Sequence, residues 1–185
     1  VPAIEISLED LVFDPNVQNY CNHPDFKCPN YGHSWACPPE APYLEETISK
    51  FRKFYLIFYK FNLKEYVQQK KEKNPKRSEE QIRNSFYRIN VIRNYLEKEI
   101  YDFLDNLREN VKEKLILWDG YCQICEKEGE ICTFDESKPC RYPLKKRFSM
   151  EAVGINVDRT VKKLKIPIEW PPLNHVYRFA LVCMK

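Results

Sequence analysis

Apolar residues along the chain form two kinds of pattern, separated by stretches with no period at all. Tyr55-Leu56-Ile57-Phe58-Tyr59-Lys60-Phe61 is aromatic and apolar almost throughout, the composition of a strand covered on both faces. Leu115-Ile116-Leu117-Trp118 and Val176 to Val182 repeat that character and predict a second and a third strand. Between the first two, Ile82, Phe86, Ile89, Ile92, Leu96, Ile100, Phe103, Leu107 and Val111 recur every three or four residues. No Gly or Pro interrupts this stripe, and Ser78-Glu79-Glu80-Gln81 ahead of it has capping-box spacing. The pattern predicts one long amphipathic helix over 78–112, about 50 Å at 1.5 Å per residue, or a helix with one break. Its stripe suits either the protein's own sheet, which is the expectation, or a partner helix in a homodimer.

Shorter signals fill in the rest. Glu45 to Phe54 reads as a short helix with Leu44, Ile48 and Phe51 on one face. Ser149 to Val153 reads as a helical turn, and Asp158 as the cap of a helix over Arg159–Leu164 ended before Pro167. Strand, long helix, strand fits a right-handed crossover. The expected fold is therefore α/β (or α+β): one domain over residues 1–185, with a small sheet of three to four strands and the long helix packed on it.

The two aperiodic stretches carry seven of the eight cysteines. Residues 15–43, rich in Pro, Asn, Asp, Tyr and His, hold Cys21, Cys28 and Cys37 in a loop over 20–39. Residues 120–143 hold Cys122, Cys125, Cys132 and Cys140, spaced C-x2-C-x6-C-x7-C. Thiolates are soft anionic ligands, and loops allow several of them to face one centre. Cys183 stands alone in the last strand and reads as a small buried hydrophobe.

Two chemistries compete for the four-Cys loop. Structural zinc usually takes two C-x2-C knuckles, and only Cys122–Cys125 has that spacing. A [4Fe–4S] cubane takes one thiolate per iron over several ångströms, so wide and uneven spacing suits it better. Pro139 beside Cys140 also resembles the ferredoxin C-P step. The three-Cys loop, with His23 and His33 nearby as further candidate ligands, admits either a Cys3His zinc site or a cluster with one open iron. One or two clusters are expected, with zinc as the alternative.

Bulk properties narrow the classes. A formal net charge of +3 over 185 residues neither implies nor excludes nucleic acid. The lysines over 62–77 lack interleaved aromatics or glycines, and read as a solvated helix and turn; nucleic acid is not an expected partner. No run is long enough for a membrane span, and the first residues lack a signal-peptide pattern, so the expected location is cytoplasmic. There thiols stay reduced, and clustered cysteines bind metal or act in redox chemistry rather than forming a disulfide framework. Glu126, Glu128, Glu130, Asp135 and Glu136 crowd the second loop as solvated charge. Arg141, Lys145, Lys146 and Arg147 follow its last thiol, where they would offset thiolate charge and could dock an acidic redox partner protein. No hydrolase triad motif or nucleotide-binding glycine loop is present.

Several longer motifs frame the thiols: Cys28-Pro29-Asn30-Tyr31-Gly32-His33-Ser34-Trp35-Ala36-Cys37-Pro38-Pro39, Glu45-Glu46-Thr47 and Gly120-Tyr121-Cys122-Gln123-Ile124-Cys125. They continue through Cys140-Arg141-Tyr142-Pro143 and Ser149-Met150-Glu151-Ala152-Val153-Gly154-Ile155-Asn156-Val157. In these motifs the chain resembles the predicted metal-binding proteins of domain-of-unknown-function family 2284, common in anaerobic archaea and bacteria. The resemblance implies metal bound by the clustered cysteines, with iron–sulfur the expected form, and supplies no reaction. The six residues between Cys21 and Cys28 and the basic stretch 62–77 are longer than the family pattern, which sets Cys21 apart from the other six thiols.

Overall fold

The computed structural model describes residues 2–86, 91–107 and 111–185. In chain order the elements are β1 (Ala3–Ile6), β2 (Asn22–His23), β3 (Phe26–Lys27), α1 (Glu45–Ile48), β4 (Lys53–Asn62) and α2 (Leu63–Lys73). They continue with α3 (Glu79–Phe86), α4 (Val91–Asp105), β5 (Lys114–Leu117), α5 (Ile124–Lys127), α6 (Val157–Lys163) and β6 (His175–Met184). β1, β4, β6 and β5 form one four-stranded sheet in that order, with every neighbouring pair antiparallel. β4 and β5 therefore run the same way with β6 between them, and α2, α3 and α4 make the connection. The strand–helix–strand reading is a crossover split by the last strand.

Strand β4 is apolar on both sides because both faces of the sheet are covered. Phe54, Leu56, Phe179, Leu181 and Cys183 point to one face, where Met150, Val153, Ile155 and Val161 pack on them. Ile57, Ala180, Val182 and Met184 point to the other, onto Leu96 and Ile100 of α4. Burial of such a side chain is worth about 1.5–3 kcal/mol, so the alternation fixes the register of the sheet. At one end, Ile82, Phe86 and Ile92 close on Leu63 and Val67 of α2. The amphipathic stripe thus packs on the protein's own sheet.

Several expected boundaries move. The predicted 78–112 helix appears as α3 and α4, with residues 87–90 and 108–110 outside the described residues, and α4 stops at Asp105. Its capping box is present: the Gln81 backbone amide donates to Ser78 Oγ at 3.1 Å, and the Ser78 amide to Gln81 Oε1 at 2.9 Å. The predicted 45–54 helix ends at Ile48, because Phe54 pairs with Cys183 in the sheet. Asp158 is not the cap of α6: Asn156 Oδ1 accepts from the Arg159 amide at 3.0 Å, and Asp158 pairs with Lys162 in the first turn. The expected 62–77 solvated helix and turn is α2 and its exit, where Lys71 Nζ donates to the carbonyls of Pro75 and Arg77.

Candidate metal centre

The six residues between Cys21 and Cys28 have a structural explanation. They form the β2–β3 hairpin, with Asn22 paired to Lys27, and the Cys28 amide donates to the Cys21 carbonyl at 2.8 Å. The insertion turns straight back on itself, so its two flanking cysteines meet. Downstream, the Cys37 amide donates to the Ser34 carbonyl at 3.2 Å, and the Gly32 amide to the Pro38 carbonyl at 2.9 Å, folding the third cysteine toward the first two. Gly32 has φ +71°, a left-handed conformation that glycine adopts freely.

The second loop leaves the sheet where β5 ends. The Trp118 amide donates to the Phe148 carbonyl at 2.7 Å, so the segments that enter and leave the loop are clamped together at its neck. Gly120, at φ +65°, sits against the Arg93 guanidinium; a Cβ there would lie 1.6 Å from Arg93 Nη2. Cys122, Cys125, Cys132 and Cys140 then line a common small pocket, with Trp35 of the first loop and Tyr142 on its wall. The acidic residues act as fasteners here. Glu130 pairs with Arg141 at 2.8 Å, and Arg141 Nη1 also donates to the Ile131 carbonyl at 3.2 Å. Glu136 pairs with Lys138 at 2.7 Å.

The two loops are docked on each other. His33 Nδ1 lies 2.8 Å from Asp135 Oδ1, Trp35 Nε1 donates to the Lys138 carbonyl at 3.1 Å, and the Trp35 ring meets Phe134 edge-on at 4.9 Å. His23 stays in its own hairpin, accepting from the Asp25 amide at 3.2 Å through Nδ1.

Electrostatics links six of the thiols across the two loops. Desolvation pushes the Cys21 thiol up to about 11, with the charge of Cys28 and of Glu151 adding to it. Desolvation likewise takes Cys37 to about 11; the Ser34 hydroxyl opposes this, while Cys28, Cys21 and Cys122 add to it. Cys125 is raised by desolvation and by Cys132 and Cys122, against the lowering effect of Arg141. Cys122 thus acts on a thiol of each loop, Cys37 and Cys125. A nearby cation would remove the penalty that dehydration and crowding place on ionising such thiols. This donor set fits a metal centre. Among the described residues, no three Cys, His, Asp or Glu side chains gather closely enough to hold a single metal ion.

All eight cysteines are free thiols. Cys183 is fully buried among the core side chains of β4 and β6, and burial pushes its thiol up to about 12. It is a core residue.

Sequence reading missed the supports of the site. Glu97 of α4 accepts from Arg147 Nη2 at 3.0 Å and also binds Lys127, and Arg93 lies beneath Gly120 and over the Tyr121 ring. Both residues sit on the polar flank of the α4 stripe, where a local pattern shows only solvated charge.

A split four-stranded sheet thus presents two interlocked, thiol-rich loops, an arrangement that suits a metal-binding protein. The chain belongs to the family described as "Predicted metal-binding protein (DUF2284)", whose profile matches residues 4–184. No curated protein and no solved structure matches it. Among the described residues, no helix is long and apolar enough to cross a membrane.

Proposed function

We propose that this is an iron–sulfur protein with two adjacent centres, a [4Fe–4S] cluster on Cys122, Cys125, Cys132 and Cys140, and a second cluster on Cys21, Cys28 and Cys37 with one iron not ligated by cysteine. The carrying observation is that the four thiols, unevenly spaced in sequence, line one small pocket. A tetrahedral zinc ion draws all four donors to about 2.0–2.3 Å, whereas a cubane keeps its thiolates several ångströms apart, one per iron. Such clusters supply one-electron transfer, and an iron lacking a thiolate supplies a position for an exogenous ligand.

The protein's own groups suit that role. Arg141 lies close enough to lower the Cys125 thiol, and its positive charge offsets that of a thiolate centre. Trp35 and Phe134 shield the side on which the two loops meet. Lys145 and Lys146, next to the four-Cys loop, give an acidic redox partner a place to dock in the cytoplasm.

Anaerobic purification followed by iron, acid-labile sulfide, absorbance and EPR measurements tests the reading. Wild type should carry both elements in near-equal amounts, and Cys125→Ala and Cys37→Ala should each remove a different part of the signal. A colourless protein with stoichiometric zinc would instead establish structural zinc sites.

A further inference from the structure

β5 pairs only with residues 181–184 of β6, from Lys114↔Met184 to Leu117↔Leu181. Beyond that point the chain turns away into the four-Cys loop, and among the described residues the β5-side edge of β6 over 175–180 has no strand partner. A cavity of about 410 Å³ lies along this edge, closed by α6, by the 3₁₀ turn Glu151–Val153 and by the segment before β6. Its size is that of a small-molecule site. Nothing in the metal-binding reading uses it.

The walls are chemically distinctive. Trp170, Tyr177 and Phe179 supply aromatic surface, and Trp170 is 87% exposed, a large indole held in water at the mouth. Four acidic side chains face the cavity, against one arginine and His175. Two of the four are in ion pairs and a third accepts from two amides of the segment before β6. Asp119 pairs with Arg93 at 3.7 Å and with Arg178 at 3.4 Å, and Asp158 pairs with Lys162 at 2.7 Å. Glu169 accepts from the Leu173 and Asn174 amides. Among the described residues Glu151 forms no ion pair, and its side chain is exposed at the cavity. Desolvation of its carboxyl, with Asp119 adding to it, raises its pKa against the opposing hydrogen bonds of a backbone amide and the Ser149 hydroxyl and the charge of Arg178.

We infer that this cavity binds a small organic cation with a flat apolar body, its charge held by Glu151 and its body stacked against Trp170 and Tyr177. A cation relieves the Asp119–Glu151 repulsion, and the electron-rich ring faces attract it further. Arg178, the one arginine of the lining, is paired with Asp119 and is not a free anion anchor, and the Tyr177 ring already takes a cation on one face, with Lys60 Nζ at 5.7 Å. The position is also informative. Gln18 Nε2 donates to the Ala152 carbonyl at 2.8 Å and to the Ala41 carbonyl at 2.9 Å, tying the Glu151 turn to the segment that enters Cys21. A bound ligand lies beside the three-Cys loop. The binding itself is independent of which metal the cysteines hold.

Titration of the protein as purified with benzylamine, benzyl alcohol and benzoate, followed by calorimetry and by the Trp170 indole resonance (assigned with Trp170→Phe), tests this. Benzylamine should bind and shift the Trp170 resonance but not that of Trp35, with affinity at least about tenfold above benzyl alcohol and benzoate. Glu151→Gln, with its fold checked by circular dichroism, should weaken benzylamine about tenfold or more. Equal binding of the alcohol, preference for benzoate, an unmoved Trp170 resonance, or a folded Glu151→Gln with unchanged affinity would each overturn the inference. The wild-type resonance reads out even where the Gln variant fails to fold. Loss of iron without loss of benzylamine binding would count against the cluster reading alone.

Discussion

Arg147 and Glu97 meet at 3.0 Å across the neck of the four-Cys loop, and the same carboxylate binds Lys127 of α5. Arg147 also lies 3.8 Å over the Trp118 ring, at the end of β5. One carboxylate on the sheet-packed helix therefore holds both the start and the exit of the loop that carries four thiols.

Glu97→Gln should cost about 1–3 kcal/mol in urea unfolding, since two charged donors lose their partner in a mostly buried place. Desolvation alone would raise the Glu97 pKa; the hydrogen bonds and charges of Arg147 and Lys127 overcome it, and the net shift is downward. A depressed folded pKa gives stability that is whole above the ordinary value of 4.5 and lost as pH falls through the folded value. The wild-type advantage should persist from neutral pH to about 5 and vanish in stronger acid. An advantage unchanged at pH 2 would refute the assignment.

Gly120→Ala should destabilise the fold by about 2 kcal/mol or more, from the left-handed backbone and the clash with Arg93. Metal retained by Cys122 and Cys125 should drop with it. In an Arg93→Ala background only the backbone cost remains, so the double mutant should be less destabilised than the sum of the singles, as thermal melts would show.

Trp35→Ala removes the hydrogen bond to Lys138 and the contact with Phe134 that dock the cysteine loops. On the proposed two-centre reading, both sites should then exchange metal faster with a chelator, although no proposed ligand has been touched. Slower or unchanged release in a competition assay would show that the loops hold their metals separately.

Cys183→Ala should leave metal content unchanged and cost about 1–2 kcal/mol, the loss of a buried sulfur from a packed core. In the folded protein the thiol should resist iodoacetamide until the sheet unfolds, because burial holds it protonated. Loss of metal in the Ala variant would place Cys183 among the ligands.

Short-range pattern made much of this protein legible. The runs at 55–61, 115–118 and 176–182 became β4, β5 and β6, since a strand covered on both faces must be apolar on both. β1 was missed because four residues with Glu5 in the middle carry no such signature, and only pairing with β4 makes them a strand. The 45–54 helix was read too long because Phe54 satisfies a helical period and a sheet register equally well, and the register with Cys183 prevailed.

The sequence by itself determined the composition of the site: seven clustered thiols in loops of Pro, Asn and Gly, and an eighth set apart in a strand. Those assignments depend on residue type and neighbours a few positions away. Only the tertiary structure decided that the Cys21–Cys28 insertion is a hairpin, that His33 and Trp35 lock one loop to the other, and that Glu97, Arg93 and Glu151 stand where they do. The hairpin is local, but the other relationships join residues tens to more than a hundred positions apart, and their energy exists only once the sheet has formed and the loops have met.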